Sequence, residues 1–158
     1  MLNEYHLQFL HNFRDDGVRF LIIGGQARHV HDGSVTRDLD LWVAIDPAST
    51  PSLERALVRW SQDHPLHTAR PITSPIIFPP KRQLKFPDAD CWFMARAGDP
   101  MEILPADGVD ILTSMEDHDF DAFYDRAFTQ FVDGMALPFL SAGDLPIVSP
   151  VTSHKDGS

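Results

Sequence analysis

The segment Asp38-Leu39-Asp40-Leu41-Trp42-Val43 sets the tightest limit on what this chain can become. Side chains of an extended strand alternate between two faces, so both carboxylates share one face while Leu39 and Leu41 take the other. The strand is expected over Asp38 to Ile45, with Pro47 closing it. Upstream, Val18 to Ile23 is a short apolar run halted by Gly24-Gly25, the pattern of a buried strand ending in a tight turn. A short helix should follow over Gln26 to His31, with Ala27 and Val30 facing inward.

The remaining elements follow from periodicity. Leu2, Tyr5, Phe9 and Phe13 recur at helical spacing and Gly17 can end that helix, which is expected over about Leu2 to Asp16. Thr50 is placed to cap a helix whose first residue is Pro51 and whose apolar stripe is Leu53, Ala56, Leu57 and Trp60. Between His64 and Pro80 stand Pro65, Pro71, Pro75, Pro79 and Pro80, a density that rules out regular helix or central strand and leaves a long loop, a candidate lid. Gln83 to Phe86, Cys91 to Arg96 and Val109 to Leu112 are strand candidates whose pairing order stays open. Phe120, Phe123, Tyr124, Ala127 and Phe128 form another helical stripe behind acidic residues, and Asp133-Gly134 marks a hairpin between Phe131-Val132 and Met135 to Leu140. These elements imply an α/β (α+β) class, a mixed sheet flanked by helices. At 158 residues one core is expected, with a single domain over 1–145 and a loose tail over 146–158.

Charge and cysteine usage narrow the function classes. With 23 acidic against 13 basic side chains and a formal charge of −10, the surface repels polyanions, so duplex DNA binding is not expected. Lys81, Arg82 and Lys85 could meet a triphosphate locally, although such clusters are more often simply solvated. The single cysteine, Cys91, permits neither an internal disulfide nor a cysteine-based zinc site and points to a reducing cytosol. No basic segment precedes an apolar stretch at the N-terminus, and the run Phe20 to Ile23 is too short to span a bilayer; a cytoplasmic protein without membrane contact is expected.

Two carboxylates one residue apart on a strand can hold one or two hard cations such as Mg²⁺ through oxygen ligands. Gly24 and Gly25, lacking a Cβ, let backbone N–H groups approach a phosphate at a helix start. A third carboxylate completes such a cage, and Asp110 in Val109-Asp110-Ile111-Leu112 offers one on an otherwise apolar strand, where a charge demands a partner or a metal. Glu102, in Met101-Glu102-Ile103-Leu104, competes for this role; Asp110 is preferred. Other constellations fit bland roles better. His29 and His31 point apart on a helix, His64 and His67 lie in the proline loop, and Glu116-Asp117-His118-Asp119 reads as an acidic helix start. Ser114 and Ser141 have no positioned base, and neither a Walker loop nor a Gly-x-Gly-x-x-Gly stretch is present.

Ile23-Gly24-Gly25 through Asp38-Leu39-Asp40-Leu41 resembles the signature of the polymerase-β-like nucleotidyltransferase superfamily. More narrowly, Gly24-Gly25-Gln26-Ala27, the His31 to Gly33 segment, Thr36 to Val43 and Val109 to Ser114 are similar to small bacterial nucleotidyltransferase-like proteins, some of them toxins of toxin–antitoxin systems. The resemblance runs from about Phe20 to Leu145, with a middle that does not align. It implies the nucleotidyltransferase fold, a two-ion Mg²⁺ site, and transfer of a nucleoside monophosphate from a nucleoside triphosphate to RNA, protein or a small molecule. By this carry-over Asp38 and Asp40 bind metal, and Asp110 completes the site and helps activate the acceptor. Gly24 and Gly25 hold the triphosphate, with Gln26 beside them in the nucleotide-binding segment. The rival expectation is a catalytically silent member that binds nucleotide or a cognate protein partner, motivated by the acidic charge and by the absence of the helices that follow the hairpin in relatives; a fragment of a longer chain is a third.

Overall fold

The computed structural model describes residues 1–65, 72–76, 78, 108–115 and 118–148, together with the backbone of 83–86. Helix α1 (Glu4–Asp15) opens on a reciprocal cap: the Asn3 Oδ1 accepts from the His6 N–H at 2.8 Å, and His6 Nδ1 accepts from the Asn3 N–H at 3.2 Å. Two of the donors that every helix start orphans are thereby satisfied. The cap places the helix start after Leu2, although Leu2 continues the apolar spacing. Tyr5, Phe9, Leu10 and Phe13 are buried along its inner face.

Strands β1 (Phe20–Ile23) and β2 (Leu39–Val43) run antiparallel, joined by α2 (Gly24–Asp32). After α3 (Thr50–Asp63) come β3 (Gln83–Phe86), β4 (Val109–Leu112), α4 (Phe120–Asp125), and the hairpin β5 (Phe128–Val132) and β6 (Met135–Phe139). The six strands form one sheet in the order β3-β4-β2-β1-β6-β5. β2 is parallel to β4 and β1 to β6, while the other three pairs are antiparallel. The architecture is thus a mixed sheet with helices, as the alternation and stripes imply.

The register sorts the side chains. Phe20 pairs with Val43 and Ile22 with Leu41, so these four and Leu39 share one face. That face receives α1, whose Phe13 ring lies 5.9 Å from that of Phe20. α3 packs on α1 through Trp60, whose ring stands 4.7 Å from Phe9 and 5.7 Å from Tyr5 at steep angles. Such edge-to-face pairs contribute about 1 kcal/mol each beyond their burial. The opposite face carries Asp40 and Trp42, and α4 covers it at Trp42, against which Phe120 and Phe123 pack at 5.3 and 5.7 Å.

Several boundaries differ from the expectations for local reasons. β2 begins at Leu39 and ends at Val43, so Asp38 sits immediately before the strand. α2 starts at Gly24, two residues before Gln26. At α3 the cap position is Ser49, with Thr50 already helical; the turn before it is held by the Asp46 carboxylate, which accepts from the N–H groups of Ala48 and Ser49 at 3.0 and 2.8 Å. α4 stops at Asp125, and Phe128 begins β5 opposite Phe139. At that point strand pairing outcompetes the helical spacing of a single ring. The Asp133-Gly134 turn closes the hairpin with both residues at positive φ, 52° and 79°, the conformation that two-residue hairpins require. The expected strand over Cys91 to Arg96, Glu102 and most of the proline loop lie outside the described residues. Packing continues past Leu145, since Val148 is buried in the core.

Arg126 ties α4 to the turn after β6. Its Nε and Nη2 donate to the two carboxylate oxygens of Asp144 at 2.8 and 3.1 Å, and the Ser141 hydroxyl donates to Oδ2 at 2.9 Å. Asp144 is buried, so removing the guanidinium strands a carboxylate. Arg126→Ala is expected to lower unfolding free energy by about 2 kcal/mol in urea titrations, the lower range for a charged pair with one half-exposed member. The double variant with Asp144→Ala should recover part of that loss. Among the described residues no helix is long and apolar enough to cross a membrane.

Candidate metal and phosphate site

Three backbone facts bring the sequence-singled residues together. Ile23, the last residue of β1, pairs with Asp40 on β2. Asp40 pairs in turn with Asp110 on β4, in a parallel register that puts both carboxylates on the same face of adjacent strands about 5 Å apart. Asp38 precedes Asp40 by two residues, and the ladder is extended beside it by the Leu39 N–H donating to the Gly108 carbonyl at 3.0 Å. Asp38 and Asp40 are half-buried, whereas Asp110 is 7% exposed. A carboxylate buried to that extent requires hydrogen-bond donors or a cation near it.

The diglycine bend lies directly against this group. Gly24 adopts φ +66°, and a Cβ there would overlap Oδ2 of Asp40. A Cβ on Gly25 would likewise overlap Oγ1 of Thr36. Close approach therefore calls for glycine at both positions, and backbone conformation calls for it at Gly24 as well. α2 begins at this bend with no side-chain cap and no acidic residue in its first turn, so its positive end is presented to whatever anion sits beside the aspartates. Its other end closes at Gly33, and the Asp32 Oδ1 accepts from both the N–H and the hydroxyl of Ser34, which holds the Asp32 carboxyl below its ordinary value.

The donor set suits a hard divalent cation: carboxylate oxygens, with no thiol and no imidazole among the three aspartates. Among the described residues no three His, Cys, Asp or Glu side chains stand close enough to cage an ion as they are placed. The strand register sets the Asp40 and Asp110 backbones as neighbours. Two cavities lie elsewhere. One of about 250 Å³ is lined by Trp42, Asp46, Thr113 and His118 at the far ends of β2 and β4, and one of about 600 Å³ runs along α3 past Asp16, Arg55 and Arg59. Neither is lined by any of the three aspartates.

The other residues find separate places. The rings of His29 and His31 engage different backbone carbonyls, those of Ser34 and Leu140, each at 2.8 Å. Asp119 caps α4 by accepting from the Ala122 N–H, the role expected for an acidic helix start. Gln26, counted in the nucleotide-binding segment, is buried, and its amide nitrogen donates to the carbonyls of Met1 and Asp38 at 3.2 Å each. Its amide donors are thus engaged with the protein's own backbone. Thr36, which had no expected role, stands against Gly25, and the backbone of Lys85, expected at most to meet a triphosphate, occupies the register position opposite Asp110 on β3. Lys85 thus falls on a strand, as the expected strand over Gln83 to Phe86 implies. No family model, curated protein or solved structure matches the chain.

Proposed function

We propose that this protein is a Mg²⁺-dependent nucleotidyltransferase of the polymerase-β-like type, taking a nucleoside triphosphate as donor. The observation that carries the reading is the Asp40 to Asp110 register beside a Gly24 at which an added Cβ would overlap the Asp40 carboxylate. Two carboxylates on neighbouring parallel strands next to a helix start without a side-chain cap are an arrangement that a bound cation and a phosphate would stabilise. In this reading Asp38 and Asp40 hold the cation side of the triphosphate, and Asp110 draws the proton and the lone pair of the acceptor hydroxyl into line. The N–H groups at Gly24 and Gly25 receive a phosphate oxygen. Bound Mg²⁺ would supply charge neutralisation on the phosphates and acidify the acceptor hydroxyl. The acidic surface favours an acceptor other than bare duplex nucleic acid.

Titration calorimetry with each nucleoside triphosphate, with and without Mg²⁺, tests this. The expected result is binding that requires Mg²⁺, together with pyrophosphate release when an acceptor extract is added. Mg²⁺-dependent binding with no release in any extract would favour the silent nucleotide-binding member, and no binding at all would remove the nucleotide from the function.

A further inference from the structure

We infer that Gln26 is a positioning residue for the carboxylate pair, setting Asp38 from behind instead of touching nucleotide. A primary amide has two N–H donors, and the Gln26 nitrogen has two carbonyl partners, Met1 and Asp38, each at 3.2 Å. Gln26 is 1% exposed, so these bonds are shielded from bulk water. Asp38 stands before the first residue of β2, where the neighbouring ladder bond is that of the Leu39 N–H to the Gly108 carbonyl. The Asp38 carbonyl is therefore held by a side chain on α2 and the following amide by β4. Gln26 follows Gly25 in the first turn of α2, so one helical turn fixes both acids: Gly24 by its contact with the Asp40 carboxylate, Gln26 by its bond to the Asp38 backbone. The Met1 carbonyl shares the same amide, which ties the segment before α1 to the start of β2.

The inference rests on the nucleotidyltransferase reading for its catalytic meaning, but its structural part can be measured alone. In Gln26→Met, which keeps length and apolar volume and removes the donors, amide hydrogen exchange at Leu39 is expected to accelerate about tenfold or more while Ile111 is unchanged. The half-saturating Mg²⁺ concentration for triphosphate binding should rise about tenfold, with triphosphate affinity at saturating Mg²⁺ kept within about twofold. Leu57→Ala, in the core on α3, serves as a variant weakened elsewhere; its Mg²⁺ requirement should match that of the unaltered protein. Unchanged Leu39 exchange in Gln26→Met would overturn the positioning role. Loss of triphosphate affinity without a change in Mg²⁺ requirement would also overturn it, in favour of direct nucleotide contact. Accelerated Leu39 exchange in a protein that binds no triphosphate would instead leave the positioning intact and reject the enzymatic reading.

Discussion

Asp40→Ala and Asp110→Asn are each expected to lower Mg²⁺-dependent pyrophosphate release from a nucleoside triphosphate by about a thousandfold or more, equivalent to about 4 kcal/mol of transition-state stabilisation. The size follows from where the two residues stand. They occupy one register pair on parallel strands, so in the proposed reading each would supply an oxygen donor that the other cannot replace from its own position. Asparagine at 110 keeps shape and one carbonyl oxygen, and separates loss of charge from loss of packing at a residue that is 7% exposed. Both variants should keep the circular dichroism of the folded protein. Calorimetry should show the Mg²⁺-dependent part of triphosphate affinity reduced about tenfold or more in each. Full activity in Asp110→Asn would reassign the third carboxylate, and Glu102 would be the next to replace.

The elements that set this site differ in how far a linear reading could reach them. The placing of Asp40 on the face away from Leu39 and Leu41 was legible because strand alternation is local and needs no partner, whereas Asp38, expected on the strand, stands just before it. The hairpin at Asp133-Gly134 was equally legible, since its turn chemistry is contained in two residues. Asp110 was singled out as an acid on an otherwise apolar strand, but the parallel pairing of β2 and β4 that sets it beside Asp40 is a long-range contact that the sequence left open. Gln26 shows the opposite failure. Its place after the glycines suggested a ligand contact, but the direction of its amide depends on the return of residues 33–38 onto the first turn of α2, which no local pattern encodes. The stripe ending at Phe128 failed for the same reason, because pairing with Phe139 is a tertiary demand.

Gly24→Ala should separate the two reasons for a glycine at the bend, with Gly33→Ala as its control. Both residues have positive φ, 66° and 78°, so each alanine carries the left-handed penalty of about 1–2 kcal/mol. They differ in what the added methyl meets: nothing lies within 4 Å at Gly33, whereas at Gly24 the methyl collides with the Asp40 carboxylate. Gly33→Ala is thus expected to lower stability by about 1 kcal/mol and leave turnover within about threefold. Gly24→Ala must in addition turn the Asp40 side chain or push α2 off the end of β1. A displacement of about 1 Å at a group that holds the reacting phosphate costs about a hundredfold in rate, so activity should fall at least that far even at temperatures where the variant is fully folded. Thermal melts of the two proteins beside their Mg²⁺-dependent turnover give the comparison. Equal losses of activity would mean that backbone strain alone explains the bend and that the approach of Gly24 to Asp40 has no part in the chemistry.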